Sequence, residues 1–248
     1  MIQEFIDFLG ITGYRKRNAA SSRTKRLVTI RSFFRYLHRL GLLGRDPAEE
    51  IRAPKVKYSE PHYLQPREFR ALLDGAGQHA NAFLAQRDMA LLATFLSTGA
   101  RVSELIRLDL KHLDVKSKRV RLHRKGGDVQ TLPLSDELVE LLRTYLKCRS
   151  KRAHSRAVFV SIRGRRLTQQ SIGAIVRRCA TKARLPKTRI SPHTLRHTFA
   201  TTLLANGENL QTIRVLMNHK SLSTTARYLH TQDEQLNAAV NGISLQGA

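Results

Sequence analysis

Acidic side chains are scarce in this sequence, and over one long stretch they are missing altogether. Of 248 residues, 19 are Asp or Glu against 44 Lys or Arg, a formal net charge of +25, and no acid lies between Glu140 and Glu208. An excess of that size is more than solubility asks of a domain; it predicts a polyanionic partner held in a salt-sensitive way. Cysteine is rarer still. Cys148 and Cys179 stand alone and match no zinc-binding spacing, so neither a disulfide scaffold nor a structural zinc is expected, and a reducing, cytoplasmic setting follows. No apolar run approaches membrane-spanning length, which removes the membrane as a partner. The one apolar patch near the start, residues 5–11, follows acid rather than base, unlike a secretory signal. Internal repeats and low-complexity tracts are also missing.

What is present can build a core. Hydrophobic residues make up 41% of the chain, an ordinary share for a globular protein. The acid-free stretch carries apolar residues at helical period over 171–183 and 194–204, so it reads as a folded basic surface facing DNA, not a disordered tail. The patterning predicts a mainly α protein with one small antiparallel β-sheet (α+β). Helices are expected at 2–10 and 22–40, with a basic loop around 14–17 between them and a short helix at 48–51. Along 22–40, Leu27, Ile30, Phe34, Leu37 and Leu40 share one face; Arg23, Lys25, Arg31 and Arg35 occupy the other and are candidate DNA contacts. Residues 53–66 hold three prolines and no period, as a linker would. Helices follow at 66–74 and 82–97, with another starting at 101. A hairpin of 119–123 and 129–134 turns across Lys125-Gly126-Gly127-Asp128. Ser135 caps a helix to about 149, 158–160 is extended, and Arg163-Gly164-Arg165 forms a turn whose arginines are further candidate DNA contacts. Helices at 168–183, 192–205, 210–217, 223–229 and 234–240 complete the chain.

The chemistry concentrates in SPHTLRHTFATTLLANGENLQTIRVLMNHKSLSTTARYLH, residues 191–230. It sets His193 and Arg196 one helical turn apart, then His219, then Tyr228. A cation, two imidazoles and a phenol suit attack by tyrosine on a phosphodiester, because phosphoryl transfer asks for a positioned nucleophile and fixed positive charge. His193 and His197 also lie four apart, as zinc ligands on a helix do. The residues between are Thr194, Leu195 and Arg196; the glutamate of a zinc-protease helix is missing and a cation lies between the two histidines, so no metal and no cofactor are expected. His197 reads as a structural or supporting residue, and His230 as either. Singly, Arg101 would be a surface residue and Tyr228 a half-buried core edge.

Taken in order, TGARVSEL, RKGGDVQTLPL, HTLRHTF and NHKSLSTTARYLH resemble the motifs of tyrosine recombinases, the phage-integrase and Xer-type family. The resemblance is close from Tyr63 to His230. It implies a site-specific recombinase that cuts and rejoins DNA strands through a 3′-phosphotyrosyl link without ATP or metal. Tyr228 would be the nucleophile, and Arg101 and Arg196 would grip the non-bridging oxygens. Lys125 would protonate the leaving 5′-oxygen, His193 would assist proton transfer at tyrosine, and His219 would hydrogen-bond the phosphate. Glu104 would orient this cluster from behind. Arg124, beside Lys125, could take over its role. The family usually has glycine where Asn218 stands.

The resemblance further implies a partial, shortened N-terminal helical core-binding (SAM-like) domain at 1–56, a linker at 57–65, a catalytic domain at 66–231 and a C-terminal tail helix at 232–248. In that tail Leu236 and Val240 suit exchange between protomers, and hence a homo-tetramer on double-stranded DNA, alone or with a related recombinase. Two other readings stay open: a non-catalytic DNA-binding relative, and a type IB topoisomerase-like relaxing enzyme. Dimer resolution, integration and transposition are not separated by the sequence.

Overall fold

The computed structural model describes residues 1–11, 18–56, 62–124, 126–150, 155–186 and 190–218. The chain divides into two compact units, Met1–Glu60 and Pro61–Ala248.

In the first unit, α1 (Ile2–Ile11) packs against α2 (Ala20–Arg39). The buried residues are few: Ile6 and Leu9 from α1, Leu27 from α2, and Ala48. Ile30, Phe34 and Leu37 follow Leu27 on the half-buried face of α2, as the spacing predicts, while Leu40 is exposed. The expected helix at 48–51 is a turn. Asp46 accepts from the Ala48 amide with its carboxylate (2.9 Å) and from the Glu49 amide with its carbonyl (3.3 Å), which closes one turn. The chain is then held by Arg31, which donates to the carbonyls of Ala48 and Ile51, so the Ile51 carbonyl serves as an anchor point and the turn goes no further.

The second unit is built around α4 (Ala82–Thr98), which packs against α3 (Pro66–Gly77), α6 (Asp136–Ser150) and α8 (Pro192–Ala205). Ala90, Leu91, Leu92 and Phe95 have no exposed surface, and the run from Ala90 to Leu96 is buried without a break. Burial all round marks a central helix. Asn81 caps it by accepting from the Leu84 amide (3.2 Å), and Gly99 ends it in the left-handed region at φ 57°. There a side chain is excluded twice over: a Cβ at Gly99 would lie 2.3 Å from Phe199 Cδ1 and 2.9 Å from Met217 Sδ.

After α5 (Val102–Arg107) and a single 3₁₀ turn comes a three-stranded antiparallel sheet in the order β1 (Leu113–Asp114), β2 (Arg119–His123), β3 (Val129–Pro133). The hairpin has the expected strands, with Val120 opposite Leu132 and Leu122 opposite Gln130. The added edge strand, β1, is two residues long, too short to show alternation. Ser135 accepts from the Leu138 amide at the start of α6 (3.3 Å). Val160 and Arg166 pair in an isolated bridge around the turn at Gly164. α7 (Gln169–Lys182) and α8 begin at hydroxyl caps, Thr168 and Ser191. The last described helix, α9 (Leu210–Met217), packs on α8 through a small apolar cluster of its own: Phe199, Ala200, Leu204, Ile213 and Met217. No described helix is long and apolar enough to cross a membrane. The loop around 14–17 and the helices expected at 223–229 and 234–240 lie outside the described residues.

Candidate active site

α9 is eight residues long, and its C-terminal end carries the partial negative charge and unpaired carbonyls of any helix terminus. Four successive carbonyls there receive side-chain donors from elsewhere in the unit. Gln130 Nε2 reaches Val215 O (2.8 Å), Arg124 Nη2 reaches Leu216 O (3.0 Å), Arg196 Nη2 reaches Met217 O (2.6 Å), and Arg101 Nη2 reaches Asn218 O (3.3 Å). Asn218, at φ 47° and ψ 55°, closes the helix in the left-handed region that asparagine tolerates. The carbonyls that converge on these cations therefore belong to the residues directly before His219.

Each guanidinium is fixed from a second side. Arg101 is the N-cap of α5; its Nη1 donates to Glu104 Oε1 (2.9 Å) while its backbone amide donates to Glu104 Oε2 (2.7 Å). Arg124 Nη1 donates to the same Glu104 Oε2 (2.5 Å), and its Nε to Gln130 Oε1 (2.9 Å). Arg196 also donates to the Gly99 carbonyl, at the close approach of α4, α8 and α9. Arg101 and Arg124 thus share one carboxylate that is only 3% exposed, and Arg196 joins them at the same helix end. The net local charge is positive, as a phosphate site requires. Exposure separates the three: the Arg101 side chain is 31% exposed, Arg196 is nearly buried, and the Arg124 side chain is 0% exposed. Burial pushes the Arg124 guanidinium below its ordinary pKa, and the Glu104 carboxylate opposes that shift.

His193 sits at the N-terminus of α8 and lines an open cleft of about 690 Å³ with Val102, Thr168, Gln169, Arg177 and Pro192. His197, on the next turn, packs edge-on against Tyr63 with ring centroids 6.1 Å apart. Among the described residues no three His, Cys, Asp or Glu side chains gather as metal ligands would. Tyr145 is fully buried and its phenol, pushed up to about 12 by burial, bonds to the backbone of Val158 and Val160, which removes it as a nucleophile. Lys125, His219 and Tyr228 lie outside the described residues, as does the tail at 232–248.

The structure therefore brings Arg101, Glu104 and Arg196 together at one helix end. It overturns the expectation that Arg124 could stand in for Lys125, because a guanidinium with no exposed surface and three protein acceptors has no access to a leaving group. The alternation of β2 carried the signal: Val120 and Leu122 face inward, and Arg124 continues the same parity. Gln130, inward beside Leu132, was missed in the same way. Of the candidate DNA contacts, Lys25, Arg35, Arg163 and Arg165 are exposed. Arg31 is tied to the carbonyls of its own unit, and Arg23 is half-buried against Gly10.

The sequence model of the phage integrase family matches residues 62–235. Tyrosine recombinase XerC of Pelobacter propionicus is 38% identical over 216 residues, covering 87% of this chain and 70% of that protein. Tyrosine recombinase XerD of Staphylococcus saprophyticus is 33% identical over 248 residues, covering 96% and 83%. Among solved structures, XerH site-specific recombinase bound to palindromic difH substrate, a post-cleavage complex, shares the fold with a TM-score of 0.77 at 21% identity, covering 97% of this chain and 72% of that one.

Proposed function

The chain belongs to the phage integrase family of tyrosine recombinases, and from that membership we propose how its own residues work on DNA. It is a site-specific recombinase that breaks and rejoins DNA strands through a phosphotyrosyl link. Tyr228 attacks the scissile phosphorus; the bond to its phenolic oxygen forms as the bond to the 5′-oxygen breaks. His193 assists removal of the phenolic proton, and Lys125 supplies a proton to the departing oxygen. Arg101, Arg196 and His219 hold the non-bridging oxygens, where preorganised donors lower the barrier most. The phosphodiester energy is kept in the covalent link, so a second strand's 5′-hydroxyl reverses the step without ATP.

One observation carries this reading. Two guanidiniums, Arg101 and Arg196, are fixed on the adjacent carbonyls of Asn218 and Met217 with Glu104 behind Arg101. Arginines held this firmly in an excess of positive charge suit a transferring phosphoryl group better than a mobile surface contact.

The finer picture belongs to the same proposal. Residues 1–56 act as a core-binding unit and 57–65 as linker; 66–231 carry catalysis, and 232–248 exchange between protomers of a cytoplasmic tetramer on duplex DNA. Lys25, Arg35, Arg163 and Arg165, exposed and basic, support the DNA path. The test uses a duplex recovered by this protein from a randomised pool and nicked beside the cleavage position, so that the covalent adduct accumulates. Wild type should form the adduct and Tyr228→Phe should not, with DNA affinity near normal. Arg101→Ala and Arg196→Ala should each slow adduct formation about a hundredfold or more. DNA binding with no adduct from wild type would leave only the non-catalytic reading.

A further inference from the structure

The hairpin and α9 are joined by side chains that the reaction itself does not use. Arg124 directly follows β2: its amide donates to Asp128 O across the turn (2.7 Å), and its side chain runs inward. Its planar fork meets three acceptors in three directions: the Glu104 carboxylate, the Gln130 amide oxygen and the Leu216 carbonyl. Gln130, one bond away on β3, repeats the link by donating to Val215 O. The buried apolar cluster beneath α9 is shared with α8, and in its last turn Leu216 also packs against the main core; the directional links to the hairpin are these hydrogen bonds.

We propose that Arg124 is a positioning residue for strand cleavage: it locks the backbone directly before Lys125 to the last turn of α9, directly before His219, through Glu104 and the Leu216 carbonyl. The inference rests on the roles proposed above for Lys125 and His219. Those residues adjoin positions 124 and 218, so the spacing between leaving-group acid and phosphate contact is set by whatever fixes these two points. Arginine suits the task because five N–H groups in one rigid plane reach acceptors that diverge; the lysine ammonium presents its donors from one point and cannot span them. Glu104 is shared between Arg124 and Arg101, so the same carboxylate also links the hairpin to a phosphate-gripping arginine.

Arg124→Lys keeps the charge and removes the fork. On the selected duplex its affinity should stay within about threefold of wild type. Cleavage within the preformed complex should slow about a hundredfold, the cost of displacing a reacting group by about 1 Å. A 5′-bridging sulfur at the scissile phosphate departs without an acid, so with it the deficit should shrink at least tenfold. Loss of fold alone would not tell the two substrates apart. Gln130→Ala, which removes the second link and one of Arg124's three acceptors, should slow cleavage about tenfold with the same substrate dependence, and it decides the matter if Arg124→Lys fails to fold. A folded variant that cleaves at the wild-type rate, or is slowed equally on oxygen and sulfur substrates, overturns the inference. Absence of adduct from wild type would instead overturn the recombinase reading.

Discussion

α4 and α9 belong to the same unit and are held by opposite means. α4 is surrounded along its middle, buried without a break from Ala90 to Leu96, and both its ends are closed by its own neighbours, Asn81 and Gly99. α9 buries only Ile213 and Met217, leaves Val215 55% exposed, and is fixed by polar donors on its terminal carbonyls. Apolar burial is strong but has no direction, whereas hydrogen bonds to a helix end set position and angle. The contrast assigns stability to the first helix and geometry to the second. A site that must align phosphate, acid and nucleophile gains more from the second kind of attachment.

The sharpest way to break this comparison is to damage the core and look for a catalytic defect. Phe95→Ala removes a ring with no exposed surface from the middle of α4, and should lower stability by about 3–5 kcal/mol. Thermal unfolding would record the loss. Adduct formation per folded molecule should remain near wild type at a temperature where the variant is still native. A cleavage defect beyond the loss of folded protein would mean that α4 also sets the site's geometry.

Gly99→Ala comes next, at the point where the two modes of attachment meet. The left-handed backbone alone costs an alanine about 1–2 kcal/mol. The overlap of the new methyl with Phe199 adds about 1–3 kcal/mol, as overpacking does. Here stability and cleavage should fall together, because Phe199 and Met217 line the α9 cluster and the Gly99 carbonyl accepts from Arg196. Melting temperature and single-turnover cleavage, measured on one preparation, would show whether they do.

This division of labour also explains what the sequence made legible. α4 and its Gly99 stop, the hairpin strands, α8 and α9 all followed from period, caps and turn residues, since those signals are local. Glu104 was assigned to this cluster through the family resemblance, and its bond to Arg101 lies within one helical turn. The anchorage of α9 was not, because Leu216 contributes a backbone carbonyl that no side chain announces, and Arg124 lies 92 residues away from it. A buried arginine in a basic turn looks like its solvated neighbours until the inward parity of Val120 and Leu122 is carried one step further. The turn at 48–51 misled for a related reason. Its local pattern favoured a helix, but Arg31 claimed the carbonyls.

The smallest expected effect lies at Asn218, and it separates backbone from side chain at the end of α9. Arg101 bonds the Asn218 carbonyl, not its amide side chain, so substitution should leave that contact in place if the backbone keeps its left-handed turn. Glycine adopts φ near 47° without strain, and Asn218→Gly should therefore change stability by no more than about 0.5 kcal/mol and cleavage hardly at all. Alanine must accept the left-handed conformation without the local hydrogen bonding open to asparagine, so Asn218→Ala should cost about 1 kcal/mol. Denaturant midpoints resolve a difference of that size. If the glycine variant cleaves far more slowly while the alanine variant does not, the turn's rigidity, more than its conformation, holds the carbonyl on Arg101.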